Sequence, residues 1–308
     1  MLSTVDFECP SQLLERARQT RPVKMAVVGA TDQLSMESAR RATEQGLIEP
    51  YLVGDEKVIR QLAQTIEWEI ADVRIINTRD ETESAAVSTR LARDNEVGAL
   101  MKGHVHTDTL MRAVINPEVG LRTQHRVSHA FYMTAPQREG SLVITDAAVN
   151  VAPTADQLMD ILGNVVHMMH SLGNLNPRIA VLSATEQPSP AMPSSLVAEQ
   201  VAQRAKDSVA GAIVEGPMAL DNAISAEAAA IKGIDNAVAG RAEVLLVPNI
   251  ETGNALFKAM VYMLSATAAG VVLGARVPIV LTSRADPPEA RLASVALGAV
   301  ISNYEASQ

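Results

Sequence analysis

Residues 97–112 read VGALMKGHVHTDTLMR, and this stretch decides the fold of the chain. Its first five residues are typical of a short buried strand, which leaves Lys102 and Gly103 at the carboxyl end of that strand. Thr107 or Asp108 is then expected to cap the helix that follows. Ligands of open α/β sheets bind where a strand ends and a helix begins. A helix start beside Lys and Thr suits an anion, and phosphate fits best.

The same order of elements repeats along almost the whole chain, because short Val, Ile and Leu runs alternate with Ala-rich helical stretches. Strands buried on both faces appear as continuous apolar runs, and alternation at this spacing indicates βαβ units. The fold class is therefore α/β with mostly parallel sheets. The predicted strands are 25–28, 51–53, 74–76, 99–101, 142–145, 179–182, 212–215, 244–247 and 278–281. The predicted helices are 35–45, 56–65, 81–95, 155–172, 196–208 and 254–264.

Composition limits the class of protein. The chain has 308 residues, of which 47% are apolar and 20% charged, as expected for a soluble globular protein with two domains or one large one. A formal net charge of -9 argues against a nucleic-acid partner. Cys9 is the single cysteine and cannot form an intramolecular disulfide. The first residues lack a secretory signal pattern, and glycine and proline interrupt the most apolar stretch, 261–281. We expect a cytoplasmic protein without a membrane partner.

Four predicted strand ends carry polar or charged side chains. Each alone is also typical of a helix cap or a surface turn. Their placement together is more informative, because parallel strands bring their carboxyl ends to one edge of a sheet. The four are Lys102-Gly103; Thr145-Asp146 with Asn150; the segment from Asn249 to Asn254 leading to Lys258; and Ser283-Arg284-Ala285-Asp286.

These motifs resemble those of the phosphate acetyl/butyryl transferases. The resemblance runs from about Val23 to the C-terminus, with the motifs in order and at similar spacing, and it is closer to the butyryl branch. The motifs that carry it are Lys102-Gly103, His106-Thr107-Asp108 with Leu110 and Arg112, Gly120-Leu121-Arg122, Val127-Ser128-His129, Ile144-Thr145-Asp146 with Asn150 and Pro153, Pro248 to Asn254 with Lys258, and Ser283-Arg284-Ala285-Asp286.

The resemblance implies a fold and a reaction. The fold is a two-domain α/β architecture similar to that of isocitrate and isopropylmalate dehydrogenases, with the active site in the cleft between the domains. One domain would comprise 1–138 with 272–308, and the other 139–271. The reaction is acyl-CoA plus phosphate giving acyl phosphate plus CoA, by direct attack in a ternary complex. Coenzyme A is then a substrate, and neither a bound cofactor nor a metal is expected.

The resemblance also suggests roles for individual residues. Arg112 and Arg284 are candidates for holding phosphate, since guanidinium groups match oxyanions. Ser283 would donate a hydrogen bond to the developing oxyanion. Lys102 would add positive charge at the same edge. The remaining predicted substrate-binding residues are Thr107, Ser128, Asp146, Asn254 and Lys258.

The general base is the point at which this sequence departs from the family. The acetyl branch has a carboxylate seven residues after the serine, and here that position is Ala290. Asp286 and Glu289 are the nearby carboxylates, and Asp286 is preferred. A free thiol with a pKa near 8.5 needs only modest help at neutral pH, so the departure is compatible with activity.

Three other interpretations stay open. His104 and His106 with Asp108 form a weak metal-site pattern that lacks a clear further ligand. A dehydrogenase of the same fold would need a cofactor site, but the turn at 29–32 lacks the three-glycine spacing of a dinucleotide fingerprint. A chain that kept the fold but lost the base would be a catalytically inactive sensor of CoA or acyl phosphate. In each case the Met- and Ala-rich helices favour a homodimer.

Overall fold

The computed structural model describes residues 5–282 and 285–307. The chain divides into two compact units. The N-terminal unit comprises Phe7–Val127 with Ala269–Gln308, and the central unit comprises mainly Ser128–Ala268. The sequence-based boundaries, 138/139 and 271/272, differ from these. The first differs because residues 128–134 form a hairpin strand with the central unit rather than a link to it.

The described residues contain eleven strands and eleven helices. The strands are β1 (Val23–Val28), β2 (Ile48–Gly54), β3 (Arg74–Asn77), β4 (Ala99–Lys102), β5 (Ser128–Thr134), β6 (Ser141–Thr145), β7 (Arg178–Leu182), β8 (Ile213–Met218), β9 (Val244–Leu246), β10 (Thr267–Leu273) and β11 (Ile279–Val280). The helices are α1 (Ser11–Arg18), α2 (Gln33–Glu44), α3 (Glu56–Thr65), α4 (Glu81–Arg93), α5 (Thr107–Val114), α6 (Ala155–Ser171), α7 (Pro193–Ser208), α8 (Leu220–Ile224), α9 (Ala226–Ile231), α10 (Ile250–Leu264) and α11 (Pro288–Glu305).

In the N-terminal unit the strand order is β3-β2-β1-β4-β11-β10. The pairs β3–β2, β2–β1, β1–β4 and β4–β11 are parallel, and β10 runs antiparallel to β11. Met25, Val27 and Val28 of β1 have no exposed surface. That burial explains why residues 25–28 of the strand form a continuous apolar run in the sequence.

In the central unit the order is β5-β6-β9-β7-β8. The pairs β6–β9, β9–β7 and β7–β8 are parallel, while β5 pairs antiparallel with β6. Helix α6 begins with a capping box in which Thr154 and Gln157 satisfy each other's backbone N–H groups. Its apolar face is buried, as its spacing of Leu, Ile and Val predicts.

All nine predicted strands are present, as are the six predicted helices whose bounds are given above and the helix expected after Lys102-Gly103, which confirms the mixed α/β class. Strands β5 and β10 were missed. Both run antiparallel to a neighbour, so they fall outside the βαβ rhythm on which the prediction rests. Strand β10, which reads TAAGVVL, also contains Ala and Gly, which are poor strand formers.

Candidate active site

Two glycines fix the strand end at which Lys102 lies. The backbone N–H of Gly103 donates to the Val28 carbonyl at 2.9 Å, and that of His104 donates to the Gly29 carbonyl at 2.7 Å. A Cβ on Gly103 would lie 2.5 Å from the Gly29 oxygen, which is too close for any side chain. Gly29 itself has φ +72°, a conformation that other residues rarely adopt. The turns after β1 and β4 are therefore hydrogen bonded to each other and closely packed, and Lys102 lies at the carboxyl end of β4.

The start of α5 differs from the prediction. The helix begins at Thr107 with His106 as its N-cap, so neither Thr107 nor Asp108 caps it. The Glu81 carboxylate binds beside this helix start, because it accepts from the His106 backbone N–H at 2.9 Å and from the Thr109 hydroxyl at 3.2 Å. The hydrogen bond from the His106 backbone holds the pKa of Glu81 below its usual value. A carboxylate thus lies beside the helix start at which phosphate was expected.

Beside Lys102, at the carboxyl ends of β4 and β11, is a small cavity of about 20 Å³. We call it the strand-end cavity. Its lining residues are Asp32, Leu34, Ser35, Ser38, Lys102, Gly103, Thr282 and Arg291. The first turn of α2 forms one wall, where the Asp32 carboxylate accepts from the Ser35 backbone N–H at 2.8 Å. Two cationic side chains, Lys102 and Arg291, therefore share one hollow.

Arg291 was not predicted as a site residue from the sequence. Its side chain is only 7% exposed, and it lies on α11 within a run of buried apolar residues. Its Nε donates to the Ser38 hydroxyl at 3.0 Å, and an Nη1 proton goes to the Asp286 carbonyl at 2.6 Å. An arginine inside an otherwise apolar helix is the signal that could have identified it, because arginine is almost never buried without partners.

Ser283 and Arg284, the two central residues of the predicted site, lie outside the described residues. The residues on either side of them are described. Thr282 lines the strand-end cavity, and the Asp286 carbonyl is bonded to Arg291. Glu289, the other candidate base, accepts an ion-pair hydrogen bond from Arg41 at 3.1 Å.

Arg112 and Thr107 both lie on α5 and are exposed. Neither lines the strand-end cavity. The structure therefore brings Lys102 together with Thr282 and Arg291 but not with Arg112. A phosphate-binding role for Arg112 and Thr107 stays a prediction.

In the central unit, Asp146 follows β6 and is buried. Its Oδ1 accepts from the backbone N–H groups of Ala148 at 2.9 Å and Val149 at 3.0 Å, and its Oδ2 accepts from the Asn150 side-chain amide at 2.6 Å. Both carboxylate oxygens hold the turn that follows the strand. Asp146 therefore stabilises the turn at the end of β6. Its contact with substrate stays a prediction.

Gly253 brings the start of α10 against the same turn. A Cβ on Gly253 would lie 2.8 Å from Ala147 Cα, so only glycine permits this approach. The N-cap of the helix is Asn249, whose side chain accepts from the Thr252 backbone N–H at 2.9 Å. Asn254 lies one residue beyond Gly253 and is partly exposed. Lys258, one turn further on, is exposed.

Ser128, like Asp146, is a predicted substrate-binding residue that is buried. Its hydroxyl accepts a hydrogen bond from the Asn164 side chain at 2.8 Å. This contact ties β5 to α6 within the central unit. A substrate-binding role for Ser128 stays a prediction.

His129, next along β5, is a buried imidazole. Burial lowers its pKa from 6.5 to about 4, and the nearby Asp146 carboxylate opposes that shift. Among the described residues its Nδ1 has no hydrogen-bond partner. The ring contacts Phe131 edge-on at 4.3 Å, and Phe131 stacks on Phe257 at 3.9 Å. The side chain therefore belongs to an aromatic layer and is neutral at pH 7.

This burial predicts a pH-dependent stability. Because the folded-state pKa of His129 lies below the unfolded value, its stabilising effect is complete above pH 6.5. The effect is lost as the pH falls toward 4, and it amounts to about 3 kcal/mol of the unfolding free energy. Denaturant unfolding at a series of pH values should show a flatter profile for His129→Phe than for the wild type. His125→Phe, at an exposed position, should keep the wild-type slope. Equal slopes in all three proteins would refute the expectation.

Neither a metal site nor a membrane-spanning helix is found among the described residues. In residues 5–282 and 285–307, no group of three or more His, Cys, Asp or Glu side chains is placed to hold a metal ion, and His106 instead donates to Glu81 at 2.8 Å. The described helices also include none that is both long and apolar enough to cross a membrane.

Sequence comparison identifies relatives over nearly the whole chain. The family model for phosphate acetyl/butaryl transferase matches residues 81–299. A phosphate acetyltransferase of Rickettsia felis is 44% identical over 294 residues, covering 95% of this chain and 84% of that protein. A phosphate butyryltransferase of Clostridium acetobutylicum is 36% identical over 292 residues, covering 94% and 97%. The motifs are closer to the butyryl branch, but the overall identity to this acetyltransferase is higher than that to this butyryltransferase.

Solved structures agree on the fold. A branched-chain phosphotransacylase from Enterococcus faecalis superimposes with a TM-score of 0.79 at 29% identity, covering 91% of this chain and 99% of that one. A phosphotransacetylase from Streptococcus pyogenes gives a TM-score of 0.81 at 21% identity, with coverage of 94% and 98%. A 4-hydroxythreonine-4-phosphate dehydrogenase from Burkholderia phymatum gives 0.55 at 13% identity, covering 91% and 98%, and is similar in fold alone.

Proposed function

The chain belongs to the phosphate acetyl/butyryl transferase family, and from this premise we propose that it transfers a short acyl group between coenzyme A and inorganic phosphate. The observation that carries the proposal is the meeting of Lys102 and Arg291 beside Thr282, where two parallel strands end. Two cations at such a strand end favour an oxyanion substrate.

The proposed chemistry is a direct attack. A phosphate oxygen adds to the thioester carbonyl carbon, the new C–O bond forms, and the C–S bond breaks with its electron pair on sulfur. The proton that leaves phosphate goes to the CoA sulfur. No covalent enzyme intermediate is needed, so holding both substrates in one ternary complex supplies much of the rate.

The site residues divide this work. Arg284 and Arg112 hold the phosphate, and Lys102 adds positive charge beside them. Ser283 donates to the carbonyl oxygen as negative charge develops there, a contribution of roughly 3 kcal/mol for one such donor. Thr107, Ser128, Asp146, Asn254 and Lys258 complete the proposed substrate-binding set.

Asp286 is the proposed base that exchanges a proton with the CoA thiol. The alternative, Glu289, is engaged by Arg41 at 3.1 Å, and this ion pair favours Asp286. The position that carries the family's carboxylate is Ala290, which is buried. Little general-base catalysis is required at neutral pH, because the pKa of a free thiol is about 8.5.

We further propose that the fold is of the isocitrate and isopropylmalate dehydrogenase type. The similarity in fold to a 4-hydroxythreonine-4-phosphate dehydrogenase supports this relation. Coenzyme A acts as a substrate, and the proposed cytoplasmic enzyme works without a bound cofactor. Acyl-CoA and phosphate are its partners, and neither nucleic acid nor a membrane is among them.

A homodimer is the proposed assembly, and the surface around α10 supports it. Tyr262, Met263 and Leu264 are 51%, 56% and 41% exposed, which is unusual for adjacent large apolar residues. Met263 and Leu264 line a hollow of about 730 Å³ in the central unit, whose largely apolar lining also includes Leu256 and Met260. A second copy of the chain would cover this face.

The dimer is testable by light scattering after gel filtration. The wild type should run at twice the chain mass of 32.8 kDa. Met263→Asp should shift it toward the monomer, because a carboxylate in an apolar interface is costly. Val119→Asp, at a similarly exposed position of the N-terminal unit, is the matched control and should stay dimeric. A monomeric wild type would exclude the assembly.

The function is tested by measuring free thiol from acetyl-, propionyl- and butyryl-CoA, with and without phosphate. We expect release only when phosphate is present, with a preference for one chain length. Thiol release that ignores phosphate would indicate a thioesterase instead. Binding of CoA in calorimetry without turnover on any of the three thioesters would indicate a sensor.

A further inference from the structure

We propose that Arg291 is a positioning residue for the acyl transfer, holding the backbone of Asp286 against α2 beside Lys102. The inference rests on the proposed function, because Ser283 and Arg284 come just before Asp286 in the sequence. Arg291 acts through the backbone of Asp286 and the hydroxyl of Ser38, to which it is hydrogen bonded.

The burial of Arg291 requires a reason. Its side chain is 7% exposed, and its neighbours on α11, Ala290 and Leu292, are buried apolar residues. Taking a guanidinium out of water is costly unless its N–H groups are hydrogen bonded. An apolar side chain would fit a buried helix face at lower cost, so the contacts of the guanidinium are what distinguish Arg291 from its neighbours.

Those contacts point in two directions. Nε donates to the Ser38 hydroxyl on α2, and Nη1 donates to the Asp286 carbonyl in the segment before α11. Ser38 has a second bond, because its hydroxyl donates to the Leu34 carbonyl at 2.7 Å. Its proton and a lone pair are thus both used, which fixes the oxygen that Arg291 meets. Only a planar fork of donors bridges two such acceptors, and an ammonium group does not replace it.

The partners of Arg291 indicate positioning. Its Nε and an Nη1 proton are both engaged by groups of the protein, the Ser38 hydroxyl and the Asp286 carbonyl. Arg291 therefore holds the protein around Lys102, and its positive charge adds to that of Lys102 at the strand end. Its partner Asp286 lies three residues after Ser283 and two after Arg284.

This placement predicts an effect on turnover. In an active site, a displacement of the reacting groups by about 1 Å costs roughly a hundredfold in rate. Loss of Arg291 releases the Asp286 carbonyl and should lower kcat about tenfold to a hundredfold. The KM for acyl-CoA should change less than threefold, since the hydrogen bonds of Arg291 go to groups of the protein.

The test uses the full-length chain in the thiol-release assay. Arg291→Ala should show the fall in kcat, and added guanidinium ion should restore it at least fivefold, whereas the same concentration of sodium ion should not. A merely structural role would not give this rescue. Arg60→Ala is the matched control, because Arg60 forms an exposed ion pair with Glu56 on α3. It should keep wild-type kcat and gain nothing from guanidinium.

Arg291→Lys covers the case in which the alanine variant fails to fold, since it keeps the charge and most of the stem. It should fold and lose at least tenfold in kcat. A kcat within threefold of wild type for either variant overturns the proposal, as does a loss that guanidinium leaves unchanged in a folded alanine variant. An inactive wild type overturns the proposed function and this inference together. An active wild type with an active Arg291 variant overturns this inference alone.

Discussion

Arg284→Ala is expected to lower phosphate-dependent thiol release by about a thousandfold. A guanidinium forms paired charge-assisted hydrogen bonds to an oxyanion, and loss of a group that stabilises transition-state charge typically costs on the order of 10²–10³ in rate. The measurement is kcat/KM for phosphate at saturating acyl-CoA, with circular dichroism and thermal melting as checks on the fold.

Arg60→Ala serves again as the matched control for Arg284→Ala, because Arg60 is an exposed arginine of the same unit. It should leave kcat/KM at the wild-type value. If Arg284→Ala is folded and equally active, Arg284 is not a phosphate ligand and the site assignment loses its main cation.

Lys102→Met is expected to have the second largest effect, a fall of about tenfold to a hundredfold in kcat/KM for phosphate. The closely packed turns at Gly29 and Gly103 hold Lys102 at the carboxyl end of β4, beside the strand-end cavity. Methionine keeps the length of the side chain and removes the charge. The KM for phosphate should rise, while thermal stability should change little.

The matched control for this variant is Lys24→Met, at an exposed position of β1. It removes the same charge from the same unit without touching the strand-end cavity. If both variants lose activity equally, the effect comes from the net charge of the protein. If neither loses activity, Lys102 has no part in the reaction.

Much of the fold could be predicted because most of the parallel strands are buried on both faces. Residues 25–28 of β1 and all of β9 are uninterrupted apolar runs, and helical stretches alternate with such runs along the chain. Antiparallel strands give no such signal. Strand β5 reads SHAFYMT and mixes polar and aromatic residues, and it is recognisable only through its partner β6.

The site was less predictable because its contacts are distant in the sequence. Parallel pairing places the end of β4 beside that of β11, and the end of β6 beside that of β9. That all four polar strand ends share one edge stays a prediction. Ser38 and Arg291 are 253 residues apart, and Glu81 binds the residue before a helix that begins 26 residues later in the chain. Local patterns carry no information about such partners. The one sequence signal for this part of the site is an arginine, Arg291, within an otherwise apolar helical stretch.

In the proposed reaction, phosphate itself attacks the thioester. Phosphorus NMR of the wild-type chain with acyl-CoA and phosphate tests it directly when free thiol is measured in the same sample. We predict that inorganic phosphate is converted to acyl phosphate in equal amount to the thiol released. Thiol release with the phosphate signal unchanged, or no conversion of either substrate, would contradict the account.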